Sequence, residues 1–237
     1  MKVAIISDLH ANWQAFEAVL EDLPKLDEVI CLGDVVGYGA DPIRCLDEVV
    51  ERKWLTMVGN HDRACTDPAI LAWFNDEAAT VIRWTVEQLG KDRLDWLKGL
   101  PETRVKRGVL LLHASPRDPI YEYVLDVGSA RANLALLEDK ACFHGHTHLP
   151  GIFQHKDGAV VHSYRLGLAP IKGPMLINPG SVGQPRDGVP EASYGIWDTE
   201  ADRFEFRRLP YDVRSAQRAI LKAGLPDRFA QRLEFGR

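Results

Sequence analysis

Residues 1–62 read MKVAIISDLHANWQAFEAVLEDLPKLDEVICLGDVVGYGADPIRCLDEVVERKWLTMVGNHD, and one pattern runs through them three times. A short apolar run ends in a polar turn. Residues 2–7 stop at Ser7-Asp8-Leu9-His10, residues 28–32 at Gly33-Asp34, and residues 55–58 at Gly59-Asn60-His61-Asp62. Between them, Trp13, Phe16, Val19, Leu20 and Leu23 recur at helical spacing behind Asn12 as a cap. Residues 42–52 repeat the pattern behind Asp41, with Pro42 at the first helical position. Strand, polar turn, helix, strand is the rhythm of a parallel α/β sheet, whose ligands gather beyond the carboxyl ends of the strands. All three polar turns fall at that end.

The rest of the chain changes character. Residues 68–100 carry a helical pattern that Pro101 ends. Strand-like runs follow at 103–106, 109–113, 140–144, 151–155, 159–164, 175–178, 193–198 and 204–209, with helical periodicity only at 129–138 and 213–224. This half reads as a mixed or antiparallel sheet. The longest non-periodic stretches, 114–128 and 179–192, are candidates for function, because long loops inside a compact domain usually have one. With no linker or repeat, residues 1–237 are expected to form one domain, a core over about 1–210 followed by a C-terminal helix at about 213–224.

At 237 residues the chain can bury about 70–75% of its extended surface without help from disulfides. Cys31, Cys45, Cys65 and Cys142 form no CxxC pair and read as reduced thiols of a cytoplasmic protein. The net charge of −5 offers no basic footprint for nucleic acid. No apolar run reaches the roughly 18 residues of a membrane span, and residues 3–6 are too short for a leader peptide. The six tryptophans fall mostly on apolar helix faces, so core packing is expected for them.

The polar turns carry the chemistry. Taken with His113 and Gly145-His146-Thr147-His148, they supply Asp8, His10, Asp34, Asn60, His113, His146 and His148. Seven nitrogen and oxygen donors are too many for one tetrahedral zinc and suit two adjacent cations sharing a carboxylate. Such a donor set, free of thiolates, fits Mn, Fe, Zn, Co or Ni better than Mg or Ca. Gly33, Gly59 and Gly145 let the backbone turn or approach where a side chain would intrude.

These five blocks in this order resemble the calcineurin-like metallophosphoesterase superfamily over roughly residues 1–200. The loop Asn178-Pro179-Gly180-Ser181-Val182-Gly183-Gln184-Pro185-Arg186-Asp187 resembles the small bacterial and archaeal branch related to diadenosine tetraphosphatases. The resemblance implies an α/β fold of four αββα layers, a β-sandwich of two mixed sheets flanked by helices, with two divalent metal ions at one edge. It implies Asp8, His10, Asp34 and His148 on one metal and Asp34, Asn60, His113 and His146 on the other, with Asp34 bridging. His61 matches the catalytic histidine that is not a ligand, and Asp62 its orienting partner. The expected function is hydrolysis of phosphomono- or phosphodiesters, or of nucleotides, by a metal-bridging hydroxide. Manganese is one candidate metal, and a dinucleoside polyphosphate hydrolase is the sharper variant. A non-catalytic protein-binding scaffold of the same fold is the rival, against which the presence of His61 counts.

Other residues have a functional and a structural explanation side by side. Asn12 caps a helix or also faces substrate phosphate. Arg117 and Arg186, in loops beside the motifs, are candidate phosphate ligands, since a guanidinium grips phosphate bidentately. His144 supports the ligands from behind or fills the core, and Asn178 is a candidate for orienting a ligand. Tyr38, Tyr121 and Tyr123 are placed to stack on a nucleobase or to pack locally. The expected partner is a small phosphate ester or nucleotide. Oligomeric state stays open.

Overall fold

Alternation along β1 (Lys2–Ile6) divides the molecule into layers: Val3 and Ile5 face one core, Ala4 and Ile6 another. The computed structural model describes residues 1–138, 140–164 and 167–237. β1 pairs in parallel with β2 (Glu28–Cys31), which pairs in parallel with β3 (Leu55–Thr56). On its other side β1 runs antiparallel to β11 (Ala192–Asp198), followed by β12 (Arg203–Leu209) and β9 (Gly167–Pro170). The second six-stranded sheet has the order β4 (Thr103–Lys106), β5 (Val109–Leu112), β6 (Ala141–Phe143), β10 (Met175–Asn178), β7 (Gly151–Lys156) and β8 (Ala159–Ser163). Both sheets are mixed, as the resemblance implied; the parallel sheet expected from residues 1–62 is only the β3-β2-β1 half of the first sheet, since strands from the later part of the chain complete it antiparallel.

Val3, Ile5, Ile30, Leu32, Phe143, Ile177, Trp197 and Phe204 fill the space between the sheets. Each buried side chain of this size contributes roughly 1.5–3 kcal/mol. Ala4, Ile6 and Cys31 face helices α1 (Trp13–Asp22), α2 (Pro42–Glu51) and α4 (Asp76–Lys98). Leu112, Cys142 and Leu176 on the far side of the second sheet are covered by α5 (Val127–Leu134). The result is helices, sheet, sheet, helix. All four cysteines are free and buried. No helix among the described residues is long and apolar enough to cross a membrane.

Several elements differ from the sequence reading. Asn60 opens a helix, α3 (Asn60–Thr66), where a turn was expected. The 68–100 stretch is divided: a 3-10 turn spans Pro68–Trp73, Asn75 caps α4 by accepting the Ala78 N–H at 2.9 Å, and Gly90 at φ 69° interrupts α4. Asp41 makes no capping hydrogen bond to α2, whereas Asn12 caps α1 by accepting the Ala15 N–H. Two elements were not foreseen. One is β9, whose Gly-Leu-Ala-Pro sequence gives no strand signal. The other is α7 (Asp227–Phe235), which follows α6 (Val213–Lys222). α6 and α7 share an apolar cluster with Ala78 and Val81 of α4 and with Tyr38, so the C-terminal segment packs onto the loops that follow β2.

Candidate metal centre

The carboxyl ends of β1, β2, β3, β5 and β6 open onto one edge of the sandwich, and the turns there are bound to one another. The Asp8 N–H donates to Gly33 O at 3.0 Å, His10 N–H to Asp34 O at 3.0 Å, and Gly145 N–H to His113 O at 2.7 Å. Ser181 Oγ donates to Asp8 O at 2.8 Å. This lattice holds a backbone that would not persist alone. Asp8 (φ 56°), His10 (48°), Asp34 (53°), His146 (65°) and His148 (60°) all lie in the left-handed region. Such residues cost of order 1–3 kcal/mol each and gather at functional sites. Two glycines are required by close approach. A Cβ on Gly59 would collide with the Asp34 carboxylate, and one on Gly145 would lie 2.6 Å from Asp8 Oδ2.

Six of the seven sequence-predicted ligands fall into two buried groups. Asp8, His10, Asp34 and His148 bring one donor atom each within 4.8 Å of one another, and so do Asp34, His113 and His146. Asn60 completes the second group, its Oδ1 3.2 Å from His113 Nε2. Asp34 belongs to both groups through Oδ2, which lies 3.6 Å from His10 Nε2 and 3.4 Å from His113 Nε2. That oxygen is buried and has no hydrogen-bond partner among the described residues, while Oδ1 accepts the His61 N–H at 2.9 Å.

The histidines are oriented from outside. His10 Nδ1 faces Val36 O at 3.2 Å, His113 Nδ1 faces Leu32 O at 3.0 Å, His146 Nε2 faces Tyr121 O at 3.1 Å, and His148 Nδ1 faces Gln184 O. A carbonyl only accepts, so each of these ring nitrogens carries the proton. The other nitrogen of each ring then turns a lone pair inward. His10 Nε2 and His148 Nε2 meet at 3.1 Å, and His113 Nε2 and His146 Nδ1 at 3.2 Å. Two lone pairs at that distance repel unless a proton or a cation lies between them. The donor set therefore fits divalent cations.

Without a cation, the carboxylates draw a proton onto one of these rings instead. Burial works against the charged form of His113, but the carboxylates of Asp34, Asp8 and Asp62 outweigh it and lift the ring to about 9. Burial holds His10 well down, His146 down to about 3, and His148 below its ordinary value. Burial opposes ionisation of Asp8 and Asp34 as well. The ring of His148 for the first, and those of His113 and His61 for the second, overcome it and hold both carboxyls below the usual range.

His61 lies beside this cluster. Its ring packs edge-on at 4.8 Å from His10 and 5.0 Å from Phe74, and at 4.3 Å from Tyr38. Burial pushes it down to about 4. Asp62 differs from expectation, because it does not reach the His61 ring. Its Oδ2 accepts the Gly59 N–H and its Oδ1 accepts those of Val35 and Val36 at 3.0 and 3.2 Å. Neighbouring residues on a helix do not face each other, so Asp62 ties the turn after β2 to the start of α3. Burial and the Asp34 carboxylate push Asp62 up to about 7, against those donors.

The remaining candidates divide. Asn12 is spent on structure, its Oδ1 on the helix cap and its Nδ2 donating to Gly183 O at 2.7 Å. Arg117 is not brought to the cluster, for its guanidinium is paired with Glu122, which also accepts from Ser115 and Asn133. Arg186 lies beside it, donating to Gln184 Oε1 at 3.0 Å. Asn178 donates to Gly145 O at 2.7 Å and Thr147 Oγ1 at 3.0 Å, shaping the turn that bears His146 and His148. His144 is buried with no partner at Nδ1, and burial lowers it to about 4. Tyr38, Trp73, Phe74, Tyr121 and Tyr123 wall a cleft of about 290 Å³ that reaches Asn60, His61 and His146. Trp73 is 75% exposed there, contrary to the core packing expected of it. Sequence reasoning missed Gln184, which holds His148 by its carbonyl and Arg186 by its amide oxygen.

The family model of the calcineurin-like phosphoesterase superfamily domain matches residues 1–202. An uncharacterised protein of Methanocaldococcus jannaschii is 37% identical over 99% of this chain and 98% of its own. The crystal structure of a metallophosphoesterase from Sphaerobacter thermophilus has a TM-score of 0.90 and 37% identity, covering 100% of this chain and 99% of that one. A candidate diadenosine tetraphosphatase shares the fold at a TM-score of 0.54 and 14% identity, covering 88% and 94%.

Proposed function

The chain belongs to the calcineurin-like phosphoesterase superfamily, and from that premise we propose that it hydrolyses phosphomono- or phosphodiesters with two divalent cations. Asp8, His10, Asp34 and His148 would hold one cation, and Asp34, Asn60, His113 and His146 the other. The observation that carries this reading is the inward-facing pair of imidazole nitrogens at 3.1 Å, each ring protonated on its outer side. Cations of the Mn, Fe, Zn, Co or Ni kind would supply an acidified water and offset charge on the phosphoryl oxygens.

The chain's own residues do the rest. The outward N–H bonds to Val36, Leu32, Tyr121 and Gln184 keep the four rings in the tautomer a ligand needs. His61, free of any side-chain partner at Nδ1 and lining the cleft, would donate a hydrogen bond to the leaving oxygen. Asp62 would act as a positioning residue by fixing the backbone on either side of Asp34. The packing of α6 and α7 onto α4 and Tyr38 supports reading residues 1–237 as one domain. Four free thiols fit work in the cytoplasm.

A nucleotide substrate is the narrower reading. The aromatic cleft beside His61 and His146 favours it, because a base stacked on such side chains gains roughly 1–3 kcal/mol. The fold shared with a candidate diadenosine tetraphosphatase agrees. The test is hydrolysis of bis-p-nitrophenyl phosphate and of diadenosine tetraphosphate after chelation and reloading with Mn²⁺. Metal-restored turnover of the first supports the phosphoesterase reading, and preference for the second supports the nucleotide variant. No turnover of either favours the scaffold alternative.

A further inference from the structure

A second group of charges lies next to the cation cluster. Arg186, in the loop after β10, and Arg232, in α7, bring their guanidinium carbons to 5.9 and 5.8 Å from the centre of the same Tyr38 ring. That ring packs 4.3 Å from His61 and 4.6 Å from His10. Asp187, the acid adjacent to Arg186, is taken by Arg208. Among the described residues, Arg186 has a buried Nε with no acceptor, and its guanidinium bonds only to the neutral amide of Gln184. Arg232 donates from Nε to an oxygen of the carboxyl group of Arg237, the last residue of the sequence, and makes no other side-chain hydrogen bond among the described residues. Among the described residues neither guanidinium has an Asp or Glu partner. Both are half-buried. Burial and the Arg186 charge together hold Arg232 down to about 10.

The Arg237 carboxyl group engages Arg232 at Nε alone, and Arg186 has no anion among the described residues, so a cation is held half out of water, which is costly unless something neutralises it. An anion received here would relieve the repulsion and satisfy the orphaned donor, and guanidinium geometry matches phosphate. We infer that Arg186 and Arg232 form a clamp for a second phosphoryl group, so that the substrates are phosphate esters or anhydrides carrying one phosphate beyond the one attacked. This rests on the phosphoesterase reading above. Hydrolysis of such a compound forms one P–O bond from water and breaks the bond to the leaving oxygen. The protons of water pass to that oxygen and to solvent, and no redox partner is needed. Arg232 lies beyond residues 1–202, so half of the clamp is supplied from outside the matched family domain.

The test compares methylenediphosphonate with methylphosphonate, neither of which is hydrolysed, by calorimetry on the metal-loaded protein and on Arg186→Gln and Arg232→Gln. Melting temperatures are taken on the same samples, and Arg232→Lys replaces the glutamine variant if that one melts early. Expected is a preference for the diphosphonate of about tenfold or more that each variant reduces by about tenfold, the effect of losing a charge-assisted hydrogen bond. The ratio of kcat/KM for ADP to that for bis-p-nitrophenyl phosphate should fall by a similar factor. Unchanged diphosphonate affinity in both variants overturns the clamp. An equal loss for both phosphonates also overturns it, and indicates a site for a single free phosphate. A wild-type protein that hydrolyses no ester but keeps the variant-sensitive preference overturns the phosphoesterase reading and leaves the clamp standing.

Discussion

The carboxylate of Asp62 accepts the main-chain N–H of Gly59 at 3.0 Å, across the turn that opens α3. The same side chain accepts the N–H groups of Val35 and Val36, just past Asp34. Asp62→Ala would strand three buried donors, each worth roughly 1–3 kcal/mol when left unsatisfied. Denaturant unfolding should register a loss of roughly 3 kcal/mol or more, with weaker cation retention. If stability and metal content hold while kcat alone drops, Asp62 acts on His61 after all.

His61→Ala tests the other half of that pair. Activity should fall by about 10²–10⁴-fold, the usual range for a general acid. Metal content by mass spectrometry should stay near wild type, because the His61 side chain is not among the inward-facing donors. Full activity in this variant would remove His61 from the reaction.

Gly145→Ala places a methyl group against Ser7 and 2.6 Å from Asp8 Oδ2. Overpacking of this kind costs about 1–3 kcal/mol, and here it moves a carboxylate with it. The variant should melt at a lower temperature and bind cations less tightly. A variant that retains wild-type metal content at limiting cation would show that the turn yields without disturbing Asp8.

Chelation should lower the melting temperature, since the inward nitrogens and carboxylates are left to repel. Cation present at 100 times its dissociation constant adds about 2.7 kcal/mol by mass action. Scanning calorimetry with and without chelator, then with Mn²⁺ restored, reads this directly. A melting temperature indifferent to both would contradict cation binding at this cluster.

His162 gives a pH dependence away from the cluster. It stacks on Phe153 with centroids 4.0 Å apart, and burial lowers its pKa below 6.5. Above pH 6.5 the ring is neutral in both the folded and the unfolded chain, so its contribution to stability is complete. As pH falls the unfolded chain takes the proton first, and that contribution is lost. His162→Phe keeps the stack and removes the titration. The melting temperature of wild type relative to this variant should therefore drop between pH 7 and pH 5, and a constant difference would refute the assignment.

What the sequence disclosed follows from what patterns can carry. Asp8, Asp34, Asn60, His113 and the His146–His148 pair each follow an apolar run. Strand ends converge in a sandwich, so their meeting was legible; the two mixed sheets came from the family resemblance, because the runs alone predicted a parallel first sheet and did not show that β11 joins it antiparallel. The aim of a side chain was not. Asp62 turns to backbone N–H groups, and Arg117 finds Glu122 within its own loop. No spacing rule forecasts either choice. Trp73 looked like core because its neighbours are apolar, yet Pro68 and Asn75 confine it to a short 3-10 turn at the surface. Arg232 stayed invisible because α7 was not read as a helix, and nothing in residues 227–235 says that they pack on Tyr38, about two hundred residues earlier.

That last contact bears on the order in which the protein is made. Phe229 of α7 packs at 4.9 Å on Tyr38, whose ring already touches His10 and His61. On the ribosome, the two sheets and every candidate metal ligand emerge before α7 does. A nascent or proteolytically shortened chain would assemble the candidate donor cluster with Tyr38 unsupported on the side that Phe229 covers. On the clamp proposal, such a chain would retain metal while lacking Arg232, and so would lose the preference for a second phosphoryl group.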